Sequence, residues 1–190
     1  MNEPEPLPAT GVARPFVVVV TGSESTGKTT LARDLAQHFG TIWVPEFART
    51  YVDRQLAIGE TLDVSDIEPI ARGEIAAMDR AIPAATSLIV LDTDLVSTTV
   101  YARHYYGYCP AWIDEAARDR RGDLYLLCDI DVPWVPAPQR DRPHHRAEIH
   151  GLFVDALAAL GANTVTIRGS WSERWDRAVN AVSRSPSDAR

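Results

Sequence analysis

Residues 16–29 read Phe-Val-Val-Val-Val-Thr-Gly-Ser-Glu-Ser-Thr-Gly-Lys-Thr, and the last eight match G-x-x-x-x-G-K-[ST] at every fixed position. The apolar, β-branched run at residues 16–20 is typical of a buried parallel strand. Leu31, Leu35 and Phe39 follow the loop at helical spacing. A chance glycine turn would match this pattern in on the order of 1% of chains of this length, given average residue usage. The sequence therefore predicts a strand, a phosphate-binding loop and a helix.

The residue types of this loop suit a nucleoside triphosphate. Backbone N–H groups converge on phosphate oxygens there, and the helix N-terminus adds a positive partial charge. Lys28 would reach the β- and γ-phosphates, and the Thr29 hydroxyl would bind Mg²⁺. ATP and Mg²⁺ are the expected cofactors. The predicted nucleotide-binding residues are Gly22, Ser23, Glu24, Ser25, Thr26, Gly27, Lys28, Thr29 and Thr30.

Composition narrows the class of protein. A chain of 190 residues with 45% apolar residues is large enough for one domain with a core of its own. The net charge of −7 argues against nonspecific nucleic-acid binding. Cys109 and Cys128 lack metal-like or disulfide-framework spacing, which favours a reducing compartment. Neither a signal peptide nor a membrane-length apolar run is present, so we expect a cytoplasmic protein without a membrane or nucleic-acid partner.

Strand-like and helix-like patterns alternate along residues 15–183, which we interpret as the folded domain. Residues 1–14 are proline-rich and predict a disordered leader, and residues 184–190 predict a flexible tail. The alternation predicts an α/β fold with a parallel sheet, helices on both faces and a lid segment in a single domain. The candidate strands are residues 16–21, 41–44, 87–91, 123–128 and 163–167.

Three segments carry apolar stripes at helical spacing, and each stripe predicts a helix face in the core. The pair Ser170 and Glu173 predicts a capping box at the start of the last of these helices. The stripes are Ile67, Ile70, Ala71, Ile75, Met78 and Ile82; Ile149, Leu152, Phe153, Ala156, Leu157 and Leu160; and Trp171, Trp175, Ala178, Val179 and Val182.

Polar residues at the carboxyl ends of the strands are the candidates for a site, because ligands bind there in parallel sheets. Glu46 follows the second strand and would accept a hydroxyl proton or hold ribose hydroxyls; the alternative is a helix-start ion pair with Arg49. Asp92 ends a uniformly apolar strand, the position of a carboxylate that orients Mg²⁺ and its waters. Asp94 is either a substrate contact or a helix cap.

Residues 129–143 form a proline-rich stretch that cannot be a regular helix and that would overhang the site as a lid. Trp134 offers a flat face to an aromatic base or a cationic ring. Arg140, Arg142 and Arg146 would clamp the transferring phosphoryl group. The alternative is a surface loop with solvated arginines and a tryptophan packed for stability.

Two further groups of residues are ambiguous. His144, His145 and His150 invite a metal site, but their spacing is not that of a zinc site, and a solvated lid or helix start is the preferred interpretation. The tyrosines near a helix end at Gly107 line an aromatic-ring pocket or simply pack. They are Tyr101, Tyr105, Tyr106 and Tyr108.

Taken together, these motifs resemble the nicotinamide-riboside kinase domain of the NadR family. The shared elements occur in the family's order over roughly residues 16–182. They are residues 22–29, Glu46-Phe47-Ala48-Arg49-x-Tyr51-Val52, Leu91-Asp92-Thr93-Asp94 and Asp131-x-Pro133-Trp134. The resemblance implies a P-loop NTPase fold with a five-stranded parallel sheet. It also implies transfer of the γ-phosphate of ATP to the 5′-hydroxyl of nicotinamide riboside, giving nicotinamide mononucleotide.

The resemblance also implies roles for individual residues. Lys28 and Thr29 would serve ATP and Mg²⁺; Glu46, Arg49 and Asp92 would face the riboside and its reacting hydroxyl. Trp134 would cover the nicotinamide ring, and Arg140 would be the lid arginine.

This sequence departs from the family at two points. The family's Asp-Gly pair between the lid tryptophan and arginine is replaced by Ala137 and Pro138, which stiffens a hinge and removes a carboxylate. In addition, about fifteen residues precede the first strand and no H-x-G-H signature is present. We therefore expect neither adenylyl transfer nor repressor activity.

Two other functions compete with a nicotinamide-riboside kinase. One keeps the chemistry but phosphorylates another nucleoside, a nucleotide or a vitamin alcohol. The other is an ATP-dependent regulatory switch; a GTPase switch is disfavoured because the guanine-reading N-K-x-D element is missing. The expected partner is a small-molecule substrate, and a homo-oligomer is compatible with the sequence.

Overall fold

The computed structural model describes residues 14–136 and 143–184. Short 3₁₀ turns cover Val64–Asp66, Ile82–Ala84 and Pro143–His145. The strands are β1 (Phe16–Thr21), β2 (Ile42–Val44), β3 (Leu88–Asp92), β4 (Leu124–Cys128) and β5 (Thr164–Ile167). The helices are α1 (Lys28–His38), α2 (Phe47–Ala57), α3 (Ile67–Ala81), α4 (Leu95–Tyr106), α5 (Ala111–Asp119), α6 (Arg146–Ala159) and α7 (Trp171–Ser183).

The five strands form one parallel sheet in the order β2-β3-β1-β4-β5. Strand β1 lies at the centre, with Val18 opposite Val90 of β3 on one side and Leu124 of β4 on the other. All five predicted strands are present, and the predicted α/β fold is confirmed. Because every strand runs the same way, the loops that follow β1, β2, β3 and β4 emerge at one edge of the sheet.

Alternate residues of β1 enter two separate hydrophobic clusters, one on each face of the sheet. Val17 and Val19 pack with residues of α3, α4, α5 and α6, whereas Val18 and Val20 pack with residues of α1 and α7. This alternation is the period of two that a strand imposes on its side chains. A strand buried on both faces explains why the sequence before the phosphate loop is uniformly apolar.

The apolar stripes of α3 and α6 lie in the core as predicted, but α7 differs. Ala178 and Val182 are buried, and the Ser170–Glu173 capping box is formed. Trp171, which we placed in the core, is 45% exposed, so that prediction is wrong. The position on the buried face one helical turn before Ala178 is taken by Arg174, which is 1% exposed.

The described chain begins at Arg14, inside the segment predicted as a disordered leader. Its guanidinium donates to both carboxylate oxygens of Asp123, at 2.9 and 2.5 Å. The rest of the leader, residues 137–142 of the lid segment and residues 185–190 of the tail lie outside the described residues. Among the helices of the described ranges, none is long and apolar enough to cross a membrane.

Helix α2 approaches α3 closely at Gly73. A Cβ on Gly73 would lie 2.0 Å from Cε1 of Phe47, the first residue of α2. Gly151 of α6 is the matched case, since a Cβ there meets nothing within 4 Å. Gly73 therefore allows the packing of α2 that brings the preceding Glu46 to the sheet edge.

We predict opposite effects of alanine at these two helical glycines. Gly73→Ala should lower the free energy of unfolding by about 1–3 kcal/mol, because the new methyl group displaces the Phe47 ring. Gly151→Ala should raise it by about 0.5–1 kcal/mol, because alanine restricts the unfolded chain and fits the helix. Urea unfolding of the two variants measures both values, and equal effects would contradict the close contact at Gly73.

Candidate functional site

The phosphate loop, residues 22–29, is shaped by two glycines. Gly22 has a φ of 127°, and a Cβ there would lie 2.7 Å from the carbonyl oxygen of Cys128 in β4. Gly27 has a φ of 84° and immediately precedes α1. Both conformations favour glycine, and at Gly22 the close approach of β4 excludes any other residue. The sequence G-x-x-x-x-G is therefore required by the backbone path of the loop.

The side chain of Lys28 folds back over this loop. Its ammonium donates to the carbonyl oxygen of Ser23 at 2.9 Å, and the Thr26 hydroxyl donates to the same oxygen at 2.9 Å. Lys28 is only 7% exposed, yet it lines a cavity that opens beside the loop. The ammonium is thus held at the cavity wall, where an anionic ligand would meet it.

Asp92 ends β3 opposite Val20 of β1, next to the phosphate loop. It is 1% exposed, and within the described ranges neither carboxylate oxygen has a hydrogen-bond partner. Burial and the charge of Glu46 raise its pKa to about 6, against the Thr29 hydroxyl, Lys28 and Arg49, which lower it. The Thr29 hydroxyl therefore lies close enough to lower the pKa of Asp92, although the two groups do not meet the geometric criteria of a hydrogen bond. Two unpaired buried oxygens beside a threonine hydroxyl fit a hard cation such as Mg²⁺.

The residues after Asp92 turn sharply. Thr93 has a φ of 72°, which is strained for a β-branched residue, and its N–H donates to the Val20 carbonyl oxygen at 3.0 Å. Asp94 caps α4 by accepting from the Val96 N–H at 3.1 Å, and its other oxygen accepts from the Tyr125 hydroxyl at 2.6 Å. The geometry supports the capping alternative for Asp94, since both carboxylate oxygens are used within the fold.

A cavity of about 700 Å³ opens beside the phosphate loop, Glu46 and α4. Glu46 and Arg49 form an ion pair of 3.1 Å at its wall. Glu46 therefore pairs with Arg49 at the start of α2 and also faces the cavity. The tyrosines of α4 also line this cavity, whereas Tyr108 does not. The residues that line the cavity include Glu24, Ser25, Lys28, Glu46, Arg49, Asp66, Glu74, Thr93, Tyr101, Tyr105 and Tyr106.

The Tyr101 ring stacks on Tyr105, with centroids 6.1 Å apart, and meets Phe153 edge-on. Its hydroxyl is buried and has no hydrogen-bond partner within the described parts of the chain. Burial is the main cause that raises the pKa of Tyr101 well above its ordinary value. The phenol is therefore a neutral donor available to a ligand in the cavity.

Glu74 of α3 is a site residue that the sequence interpretation missed. It is buried, lines the cavity and accepts from the Phe47 N–H at 3.3 Å. Burial, followed by the negative charges of Asp94 and Glu46, raises its pKa to about 8. The sequence does carry a signal for this residue. Glu74 lies between Ala71 and Met78 on the stripe of α3 that the apolar residues mark as buried, and a carboxylate on such a stripe is unusual.

The described part of the lid segment is fastened to the phosphate loop. The Val135 N–H donates to the Ser25 hydroxyl at 2.7 Å, and Arg146 donates to the carbonyl oxygens of Ser25 and Val132 at 2.9 and 2.6 Å. Arg146 therefore binds the protein's own backbone and is not a solvated arginine. Trp134 is half-buried and is not among the residues that line the cavity. Arg140 and Arg142 lie outside the described residues.

Arg174 of α7, also missed at the sequence level, holds the outer side of the phosphate loop. Its guanidinium donates to the carbonyl oxygens of Thr26, Asp129 and Gly169, at 3.1, 2.9 and 3.1 Å, and to the Asp131 carboxylate. Asp131 also accepts from the Gly169 N–H at 2.6 Å. One buried side chain thus connects the loops that follow β1, β4 and β5.

The sequence of this chain is similar to that of a known protein family and of two curated proteins. Residues 17–174 match the AAA domain family, AAA_28, and the chain belongs to that family. It is 31% identical over 176 residues to the trifunctional NAD biosynthesis/regulator protein NadR of Escherichia coli K12, covering 89% of this chain and 43% of that protein. It is 34% identical over 126 residues to the NadR of Salmonella typhimurium, covering 64% of this chain and 31% of that protein. The chain therefore spans less than half the length of these curated relatives.

Three solved structures share the fold of this chain, and two of them are NadR proteins. A NadR protein in complex with NR superposes with a TM-score of 0.75 at 28% identity, over 88% of this chain and 50% of that chain. A NadR protein in complex with NAD and AMP-PNP gives 0.68 at 30% identity, over 88% and 48%. Thymidylate kinase from Ehrlichia chaffeensis gives 0.67 at 14% identity, which supports the fold alone. The predicted P-loop fold and the resemblance to NadR are both confirmed.

We predict that Arg174 is essential for the stability of the loop arrangement. Arg174→Met should lower the free energy of unfolding by about 3–5 kcal/mol, because it removes the ion pair of Asp131 and leaves three carbonyl oxygens without the guanidinium as donor. Arg177→Met, on the exposed face of the same helix, is the matched control and should change stability by less than about 0.5 kcal/mol. Urea unfolding measures both, and similar values for the two variants would contradict the assigned role.

We also predict that Glu74 makes stability depend on pH. Its pKa rises from an ordinary 4.5 to about 8 on folding, so between these pH values the folded state binds a proton that the unfolded state lacks. Stability should therefore fall as pH rises from about 5 to 8. Glu74→Gln should flatten this decline, whereas Glu68→Gln, exposed on the same helix, should retain it. Urea unfolding at several pH values tests this, and parallel curves for wild type and Glu74→Gln would refute it.

Proposed function

We propose that this chain is an ATP-dependent kinase that phosphorylates the 5′-hydroxyl of nicotinamide riboside to give nicotinamide mononucleotide. The NadR relatives support this, since one is a NAD biosynthesis protein and one structure holds NR. A second structure, with AMP-PNP, supports ATP as the phosphoryl donor. A small-molecule substrate and a cytoplasmic location are part of the same proposal.

The observation that supports the proposal is that one cavity reaches from the phosphate loop to the Glu46–Arg49 ion pair at the start of α2. Lys28 and Ser25 line it at the loop, and the Glu46–Arg49 pair lines it at the start of α2. A triphosphate held by the loop would point its terminal phosphate into the space that these side chains face. A cavity of about 700 Å³ is in the range expected for a small-molecule site.

The residues beside the loop would have two roles, namely to contact the phosphates and to hold the metal ion. Lys28 would exchange the Ser23 carbonyl for phosphate oxygens, and the residues that would hold Mg²⁺ are Thr29 and Asp92. When bound, the metal neutralises charge on the β- and γ-phosphates. Phosphoryl transfer then requires chiefly positioning and charge neutralisation by the chain.

The acceptor would be held at the wall that carries Glu46 and Arg49. Glu46 and Arg49 would bind the ribose hydroxyls, and either Glu46 or Asp92 would accept the proton of the reacting hydroxyl. Carboxylates and tyrosine rings line the cavity together, namely Glu24, Glu46 and Asp66 with Tyr101, Tyr105 and Tyr106, and this lining favours a cationic aromatic ring such as pyridinium. Trp134 as cover of the ring, Asp94 as a substrate contact and Arg140 as the lid arginine remain predictions.

An acceptor panel tests the proposal. Purified chain with Mg-ATP should convert nicotinamide riboside to its monophosphate with a kcat/KM at least about tenfold above that for thymidine, since only the former offers a cationic ring. Lys28→Ala should abolish transfer while the chain stays folded, because Lys28 is the only lysine in the chain and no other lysine side chain can replace it.

The matched control is Arg33→Ala, which removes an exposed cation from the same helix and should retain full activity. Mass spectrometry of the products measures transfer, and calorimetry measures Mg-ATP binding. Equal activity on thymidine would overturn the substrate; activity in Lys28→Ala, or no nucleotide binding by the wild type, would overturn the site.

A further inference from the structure

Two histidines and a glutamate from different helices converge outside the main cavity. His104 lies in the last turn of α4, and His145 and Glu148 lie one helical turn apart at the start of α6. Nδ1 of His104 is 3.4 Å from one Glu148 oxygen, and Nδ1 of His145 is 2.8 Å from the other. One nitrogen of each ring and one carboxylate oxygen all lie within 4.8 Å of one another.

The sequence could not identify this cluster, because His104 is 41 residues away from His145. The spacing of His144, His145 and His150 is not that of a metal site, and of these three only His145 belongs to the cluster. The ligands that matter are brought together by the packing of α4 against α6.

His104 is poorly satisfied by the protein alone. Its side chain is 4% exposed, and Nε2 has no hydrogen-bond partner within the described residues. Its polar contact to Glu148 is 3.4 Å long, at the weak end for a hydrogen bond. The rings of His104 and His145 face each other edge-on, with centroids 5.6 Å apart. Nδ1, which faces Glu148, thus makes only this long polar contact among the described residues, so it remains available as a ligand to an ion.

From these contacts we propose that His104, His145 and Glu148 bind a transition-metal dication of the zinc class, bridging α4 and α6. Two imidazoles and one carboxylate are a ligand set that zinc accepts, with a fourth position left to water. Zinc–nitrogen bonds of about 2.0–2.1 Å place tetrahedral ligands roughly 3.3 Å apart. The contact of 3.4 Å already fits, and the exposed His145 and Glu148 reach the remaining geometry by small side-chain rotations.

The proposed ion is distinct from the Mg²⁺ of the phosphate loop. Mg²⁺ prefers oxygen ligands and keeps several waters, whereas imidazole nitrogen selects softer dications. The inference also stands apart from the proposed kinase function, because it concerns residues outside the cavity lining. Failure of one therefore leaves the other intact.

Metal titration of the nucleotide-free chain, without an affinity tag, tests the site. With excess Mg²⁺ present throughout, Zn²⁺ should bind with a stoichiometry of one and raise the Tm. Co²⁺ in its place should give the visible ligand-field bands of a four-coordinate site. His145→Ala and Glu148→Gln, both exposed positions that leave the core unchanged, should each weaken Zn²⁺ binding at least tenfold.

The control is His144→Ala, which removes the exposed histidine next to His145 and should bind Zn²⁺ like the wild type. The proposal is overturned if wild type and His145→Ala bind Zn²⁺ equally, or if wild type binds none. It is also overturned if His144→Ala loses as much affinity as His145→Ala, since that would indicate unspecific capture by surface histidines.

Discussion

The buried guanidinium of Arg174 is the interaction on which the site depends. A phosphate loop must direct its N–H groups inward, so some of its carbonyl oxygens point away from the ligand and need other donors. Arg174 supplies them for Thr26 in the loop, and also for Asp129 and Gly169 in the loops after β4 and β5. A cation buried this deeply is tolerated because Asp131 and three carbonyl oxygens surround it. The loop is thereby shaped before any nucleotide arrives.

Buried carboxyl groups lie beside the cavity that the same loop lines. Asp92 and Glu74 are both buried beside the cavity, and both have raised pKa values, near 6 and 8. Glu74 is therefore largely protonated at neutral pH, which keeps the local charge lower than a count of carboxylates indicates. Lys28 and Arg49 balance only part of the remainder. A site arranged in this way gains electrostatic stabilisation when a cation enters, whether a metal ion or a charged ring.

The sequence predicted the elements that depend on local pattern and missed the contacts that depend on packing. The strand, loop and helix around residues 16–38 follow from one motif, and parallel strands place Asp92 and Glu46 at one edge. Arg174 and Glu74 do not stand out in the sequence, because the helical period marks a buried stripe by its apolar residues and a charged residue interrupts that pattern. The wrong placement of Trp171 has another origin, because Trp171 is the first residue of α7 and lies at the end of the apolar stripe, where it is exposed.

Helix α4 connects the features that the sequence treated separately. It begins at the Asp94 cap, which the Tyr125 hydroxyl fixes to β4, and ends at Gly107 with a φ of 66°. Between these ends it presents Tyr101 to the cavity and, one turn later, His104 to α6. The contact between α4 and α6 therefore helps to position the helix that carries the tyrosines of the cavity wall, although His104 and Glu148 do not line the cavity themselves.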